Sequence, residues 1–387
     1  MSCAGLVMIA LPLLVVGYAY LGYPAVLWLV ARRAHRDVPD RDPAQWPPVT
    51  ITLPVYNEEH SIAETLESLL ALDYPAGRRT ILVVSDASTD RTDEIVERYA
   101  DRGVRLLRLP VRAGKTAAEN AAARVVADPI VVNTDATVRI APQALKSLVR
   151  AFEDPAIGLA SGRDVSVGDK AAESNRDESA YVDYEMRIRA LETRIGSIVG
   201  ASGCLYAVRN GLIDPAFPEA LSRDFGAALA VAEKGFRAVS VDNAVCLVPR
   251  TRSLRSEYRR KVRTMTRGLN TLWYQRKMLS PSRRFFAFAL WSHKLARWAM
   301  LLLVPFLPIG LLLLLRPSQS LLLLLLGAGG FTIAAGILGI FWPAGRKPPR
   351  VIAVFGFGLI VVGAGLASWY QFLRGQRTAY WEPTRRG

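Results

Sequence analysis

VTITLPVYNEE, residues 49–59, and TILVVSDASTD, residues 80–90, are two short apolar runs that each break into polar residues at their end. Both are β-branched and too short for a buried helix, and each is followed by residues with helical spacing. Val49 to Pro54 therefore reads as a strand, a helix follows from about Ser61, and Thr80 to Val84 reads as a second strand. Working outward, a helix is expected over Thr89 to Asp101, a strand over Val104 to Leu109, a helix over Lys115 to Ala127 and a strand over Ile130 to Asn133. Strands alternating with helices predict βαβ units and an α/β domain with a mostly parallel sheet. Ligands of such sheets bind outside the carboxyl ends of the strands. The residues after each run are thus the ones that can carry chemistry.

The flanks of this domain are different in kind. Residues from about Gly5 to Val30 carry no charge and are long enough to cross a bilayer. A cleaved signal peptide fits less well, because no basic segment precedes the run and no small-residue cleavage site follows. Arg32, Arg33 and Arg36 come directly after it, which orients the span with the following domain in the cytoplasm. A net charge of +15 raises the question of nucleic acid. Much of the basic excess flanks apolar runs, as lipid headgroups select, so membrane lipids and no nucleic acid are the expected partners. Three scattered cysteines and three scattered histidines argue against a disulfide framework and a zinc enzyme.

After Pro249 the pattern changes again. Leu254, Tyr258, Val262, Met265, Leu269 and Leu272 recur at helical spacing, with Arg252, Arg255, Arg259, Lys261 and Arg267 among the residues on the other faces. Such a helix lies in a membrane interface or packs on the domain as a solvated helix. Apolar segments follow at about 299–315, 321–342 and 351–373. The expected organisation is an N-terminal transmembrane helix (1–36), a cytoplasmic catalytic domain (37–250), interfacial helices (251–284), about three transmembrane helices (285–374) and a basic tail (375–387). Three full C-terminal spans would leave that tail outside, against the positive-inside rule. One segment is then re-entrant or interfacial, or the count differs.

The strand ends carry Tyr56-Asn57-Glu58-Glu59, Ser85-Asp86-Ala87-Ser88-Thr89-Asp90 and Asn133-Thr134-Asp135-Ala136-Thr137, and Lys115 opens a helix after Ala113-Gly114. Singly, each has a plain local explanation: Thr89 or Asp90 as a helix cap, Asn57-Glu58 as a turn. Together they line one edge of one sheet with what a nucleoside diphosphate requires: carboxylates and amides for base and ribose, a cation for phosphate, and a carboxylate for a divalent metal.

These segments resemble the family 2 glycosyltransferases, the inverting membrane enzymes that include hyaluronan, cellulose and poly-N-acetylglucosamine synthases. The resemblance rests on residues 53–59, 84–90, 114–120 and 133–137 in order, continues through 202–209 and Arg223-Asp224-Phe225, and extends to the Trp381–Arg386 tail. It implies a GT-A-type nucleotide-sugar-binding domain and a hexosyltransferase acting on a UDP-sugar, with a polysaccharide acceptor. Tyr56, Glu58 and Asp86 would hold the uridine, with Pro54 and Thr134 beside them. Lys115, and Arg260 or Arg263, would meet the base or diphosphate. Asp135 matches the first acid of the DxD motif and would bind Mg2+ or Mn2+. Asp224 matches the general base, and Gly203 and Cys204 the acceptor-lining segment. An N-cap at Asp224 and a plain buried residue at Cys204 remain open alternatives.

Three departures qualify the match. Thr137 stands at the second acidic position of DxD, Arg223 stands where many relatives carry an acid, and the Gln-x-x-Arg-Trp motif of processive synthases is absent. Single addition of a sugar to a lipid and a silent assembly subunit therefore stand beside polymer synthesis at the inner membrane. A homo-oligomer would be needed if so few helices are to enclose an export channel.

Overall fold

The computed structural model describes residues 3–34, 36–167, 173–249, 254–315, 318–342 and 349–376. The tail motif at 381–386 and Arg252 lie outside the described residues. Strands β1 (Val49–Val55), β2 (Arg79–Ser85), β3 (Val104–Arg108), β4 (Ile130–Thr134), β5 (Arg139–Ile140), β6 (Ile157–Val167), β7 (Leu205–Arg209) and β8 (Arg237–Pro249) form one sheet. Its order is β3-β2-β1-β4-β7-β6-β8-β5. The first four positions are parallel, as the alternating pattern predicts. β7 then runs antiparallel to both β4 and β6, while β6 and β8 pair in parallel. Every residue of β1 is buried, which is why a central strand reads as an unbroken apolar run.

The helices, in chain order, are α1 (Cys3–Gly17), α2 (Tyr23–Ala31), α3 (Ile62–Leu70), α4 (Thr92–Glu97), α5 (Lys115–Val125), α6 (Ala144–Arg150), α7 (Glu173–Ile195) and α8 (Arg223–Glu233). α9 (Leu254–Tyr274), α10 (Arg284–Ala289), α11 (Ala296–Leu303), α12 (Phe306–Leu315), α13 (Gln319–Ile340) and α14 (Arg350–Leu373) complete the set. α3 and α6 seat Ile62, Leu66, Leu145 and Leu148 on one face of the sheet against Ile51 and Leu53. On the other face α5 lays Ala118 and Ala122 against Leu82 and Val84. Small residues there let α5 sit close to the sheet, so its first residue arrives at the strand ends.

α4 is shorter than its spacing implies. Asp90 accepts from the Thr92 amide (3.0 Å) and from the Glu59 amide (3.1 Å), so the chain is tied to the neighbouring loop before the helix can begin. Gly103, at φ 83°, ends the segment in a left-handed turn.

α1 and α2 join through a wider π-type turn into one helix, Cys3–Ala31, long and apolar enough to cross a membrane. Gln319–Ile340 and Val354–Leu373 meet the same test, and Pro281–Leu303 with Phe306–Leu314 does so as a pair bent by 51°. Leu14, Leu21, Leu323, Leu324 and Phe331 are all at least 60% exposed, an apolar surface that lipid satisfies and water does not. α9 packs along α14, burying Val262, Leu269 and Leu272, with the Ser368 hydroxyl on the Val262 carbonyl (3.3 Å). It is thus seated against an apolar helix, with Trp273 outward.

Ile51→Ala should cost about 2–5 kcal/mol, because the fully buried site on β1 cannot collapse around the lost methyl groups. The thermal unfolding midpoint of the detergent-solubilised chain measures it.

Candidate active site

The residues that follow β1, β2 and β4 meet the start of α5, the turn before β7 and the first turn of α8 at one edge of the sheet. Gly114, at φ 94°, turns the chain into α5 in a conformation that favours glycine, and Lys115 follows. The Lys115 ammonium donates to Asp135 Oδ1 (2.5 Å) and to the Gly203 carbonyl (2.8 Å), and lies 3.9 Å from Glu119 Oε1. Burial works to lower the Lys115 pKa, but Asp135, Glu119 and Asp224 outweigh it and hold the ammonium above the ordinary lysine range. Beneath it, burial pushes the Glu119 carboxyl up, against the pull of Lys115 and Arg223. Arg223 reaches Glu119 at 4.0 Å and bonds the Asn120 side chain.

Asp224 sits inside the first turn of α8, not at its cap. Ser222 holds the cap position, and its hydroxyl donates to Asp224 Oδ1 (2.5 Å). Asp224 Oδ2 lies over Gly203, where a Cβ would stand 2.7 Å from it. Gly203 is therefore required to be small by the carboxylate above it, while its carbonyl anchors Lys115. Thr134 donates to the Cys204 carbonyl (2.9 Å), fixing β4 to the same turn. The Cys204 side chain is partly buried against the sheet core beside Gly203.

The nucleotide-side residues line the adjoining loops. Pro54 pairs with Val84 across the β1–β2 ladder. The Tyr56 ring lies 3.9 Å from the Arg112 guanidinium carbon. Asn57 and Ala87 adopt φ of 53° and 57°, left-handed values uncommon outside glycine and typical of sites that hold a loop in one shape. The Thr89 amide donates to Asn57 Oδ1 (2.8 Å) and the Glu58 amide to Thr92 (2.8 Å), locking the two loops together. Burial raises the Glu58 carboxyl, which accepts from Ser61 (2.6 Å). Asp86 accepts from the Ala113 amide (2.7 Å) and the Gly114 amide (2.8 Å), so its carboxylate sets the loop that positions Lys115.

One expected residue is placed elsewhere. Arg260 is held by Glu257 (2.8 and 2.7 Å) one turn earlier on α9, and lines a separate cavity. Arg263 is partly buried on the same helix. The guanidinium that arrives is Arg267, which donates to Thr116 (2.7 Å) and to the Leu221 carbonyl, two residues from Arg223 and one from Ser222. Burial lowers its pKa, while Asp224 and Glu119 raise it. The signal for Arg267 was present in its spacing after Arg260 and Arg263, which puts it one turn further along the helix. Glu119 lay unremarked inside the motif at 114–120.

Among the described residues no three His, Cys, Asp or Glu side chains stand together as a metal site. The donor set fits Mg2+ or Mn2+ only in the manner of ions bound through one carboxylate with substrate phosphates completing the shell. Asp135, at the end of β4, would be that carboxylate.

Because the folded-state pKa of Lys115 is raised, its contribution to stability is full below the ordinary lysine pKa and is lost only as pH rises beyond it. Glu119, already pushed up by burial, loses in Lys115→Met the ammonium that pulls it down, so its folded carboxyl rises further. Stability of the variant should therefore fall more steeply than the parent's as pH climbs above the ordinary carboxylate range. Thermal unfolding followed against pH distinguishes the two.

Comparison with known proteins agrees with this geometry. Residues 50–209 match the family model Glycosyl transferase family 2. An N-acetylglucosaminyltransferase of Mesorhizobium japonicum is 32% identical over 191 residues, covering 46% of this chain and 42% of its own length. One of Bradyrhizobium elkanii is 31% identical over 137 residues, covering 34% of this chain and 71% of its own. The chain spans only 42% to 48% of the length of the first curated relatives it matches. In fold it is similar to a mannosyltransferase of Pyrobaculum calidifontis solved with GDP-Man and Mn2+, with a TM-score of 0.70, 22% identity, and coverage of 96% of this chain and 100% of that one. A GT-A-like sheet, the matched motifs and the apolar helices at both ends agree: this chain belongs to glycosyltransferase family 2.

Proposed function

We propose that the protein is a membrane-embedded, inverting glycosyltransferase that moves a sugar from a UDP-sugar to an acceptor hydroxyl, in the first instance that of a growing polysaccharide. The observation that carries the proposal is the contact chain Asp224–Gly203–Lys115–Asp135: a carboxylate over a small residue, whose carbonyl holds a cation, which holds a second carboxylate. The acceptor lies over Gly203 and Cys204 and gives its hydroxyl proton to Asp224. Its oxygen bonds to the anomeric carbon, the carbon–oxygen bond to the diphosphate breaks, and the electron pair leaves with UDP. Single displacement inverts the centre, so no covalent nucleophile is needed. Lys115 and Arg267 neutralise the charge that grows on the leaving diphosphate. A divalent ion held by Asp135 would add Lewis-acid charge there when bound. Pro54, Tyr56, Glu58 and Thr134 line the nucleotide, with Asp86 fixing the loop. The printed name of the curated relatives favours N-acetylglucosamine as the sugar.

Arg32, Arg33 and Arg36 favour a cytoplasmic catalytic domain at the inner membrane. α11 runs antiparallel to α14, with Leu301 against Gly365 and the Trp369 indole donating to the Trp298 carbonyl (2.9 Å). α2 leads into the catalytic domain and Tyr18 bonds Ser292 (2.6 Å), so the segment from Ser292 runs away from that domain and α14 returns to it. This direction favours a C-terminal end of α14 on the domain's side. One-step transfer to a lipid is a second reading, favoured by the cavity beside α9 described below.

Asp224→Asn should abolish transfer while nucleotide affinity stays near the parent's; near-parental rates would move the base elsewhere. Asp135→Ala should remove the manganese-dependent part of UDP binding, read by titration calorimetry with and without the ion. Transfer from a panel of labelled UDP-sugars, with products sorted by size and lipid extractability, separates the readings. A large water-soluble product means polymer synthesis, a small lipid-extractable one means single addition, and no transfer from any donor means a silent subunit.

A further inference from the structure

A second cavity, of about 470 Å³, lies between α9, α11 and α14, at the boundary between the catalytic domain and the apolar helices. Cationic and apolar residues share its lining. Arg260, Lys261, Lys294 and Arg297 line it, with the Lys261 ammonium 5.4 Å over the Phe357 ring, and no carboxylate stands among the described lining residues. The carboxylates that hold these cations stand behind them: Glu257 takes Arg260 and Lys261 (3.1 Å), and Glu185 takes Lys294 (3.3 Å) and Arg297 (2.8 Å). Met300, Leu301, Phe357 and Val361, from α11 and α14, supply apolar lining. α14 carries a candidate span, and α11 belongs to the bent pair that meets the same test.

The cavity also adjoins the transfer site. Trp298, in its wall, meets Phe225 edge-on at 5.9 Å, and Phe225 is the residue after Asp224. A Cβ at Gly200 would stand 3.3 Å from Phe225 and 3.5 Å from the Lys294 side chain, so one glycine separates the cationic wall from the turn that carries Gly203. α9 serves both places, with Arg260 and Lys261 in the cavity and Arg267 at the transfer site.

We infer that this cavity holds the phosphate of a membrane lipid that carries the accepting group, with its hydrocarbon chain along α11 and α14 and its hydroxyl-bearing headgroup reaching past Gly200 toward Asp224. Four cations against two carboxylates set behind them leave an excess of positive charge that selects an anion. Apolar lining from helices that meet the span test selects an amphiphile over a small ion. The inference rests on the transfer reading above, takes its second acceptor, a lipid, over the polysaccharide, and names that lipid's class. The step itself is unchanged: the headgroup hydroxyl loses its proton to Asp224 as its oxygen displaces the nucleoside diphosphate.

The test uses the full chain in nanodiscs of neutral phosphatidylcholine, with a fluorescent phosphatidic acid and the matching diacylglycerol as probes. Phosphatidic acid should bind saturably and at least about tenfold more tightly than diacylglycerol, as a charge-assisted contact predicts. Inorganic phosphate should not displace it. Lys294→Met and Lys261→Met should each weaken phosphatidic acid binding by about tenfold while UDP affinity stays near the parent's. Lys261→Met, whose partner Glu257 keeps Arg260, should also leave the unfolding midpoint near the parent's. Asp224→Asn should bind the probe as the parent does. Equal binding of the two probes, parental binding by both lysine variants, or full displacement by inorganic phosphate would overturn the inference. If the parent transfers no sugar yet discriminates the probes, the transfer reading fails and the site stands. If transfer proceeds equally well onto phosphate-free lipid acceptors, the transfer reading stands and this inference fails.

Discussion

His293 is 1% exposed and lies between two carboxylates, Glu185 at 2.8 Å and Glu192 at 2.7 Å. Glu192 also accepts from the Tyr23 hydroxyl (2.6 Å), and Glu185 from Arg297 (2.8 Å). Three distant parts of the chain, α2, α7 and the segment between α10 and α11, therefore meet in one buried polar knot. Burial raises the Glu185 carboxyl, but His293, Lys294 and Arg297 hold it well below the usual carboxylate range. A buried charge left without partners costs several kcal/mol, so each member keeps the others in place. Around the knot, Tyr23, Leu27, Phe286 and Leu290 form an apolar cluster with Phe225 and Leu229 of α8. The helix that carries Asp224 is thus packed directly on the joint between the sheet domain and the apolar helices.

The same arrangement explains the shape of the transfer site. A parallel sheet buried on both faces leaves only its strand ends for polar chemistry, and four of those ends converge because β1, β2, β3 and β4 are adjacent and codirectional. Lys115 bridges to Asp135 and Gly203 there, holding two carboxylates, Asp135 and Asp224, close to one another. A bound diphosphate competes for that ammonium, so nucleotide entry would redistribute charge already present.

Much of this was legible from the residues alone, for definite reasons. β1 to β4 and α5 were readable because each is a local run whose period matches its structure, and the boundaries differ by one or two residues. α4 was overcalled because Asp90 spends its carboxylate on loop amides, a contact that spacing cannot reveal. The parallel half of the sheet followed from βαβ alternation, whereas the antiparallel insertion of β7 between β4 and β6 depends on long-range pairing. Lys115, Asp135, Gly203 and Asp224 were found at the strand and helix ends where motif order put them. Arg260 was not brought to them, because Glu257 three residues earlier captures it first. The knot at His293 was invisible: its two carboxylates lie 101 and 108 residues away in sequence, and a single histidine does not announce them.

α1 and α12 cross at their glycines. A Cβ at Gly5 would stand 2.9 Å from the Leu314 amide nitrogen, and one at Gly310 would stand 2.8 Å from Met8. α1 is therefore shaped to fit a surface made of residues 306–315, about three hundred positions later in the sequence. Until those residues have been translated, its notch lacks its α12 partner, although the sheet domain between them has already been made. The α1–α12 packing thus follows synthesis of the sheet domain, and glycine at both positions is what lets the two backbones close.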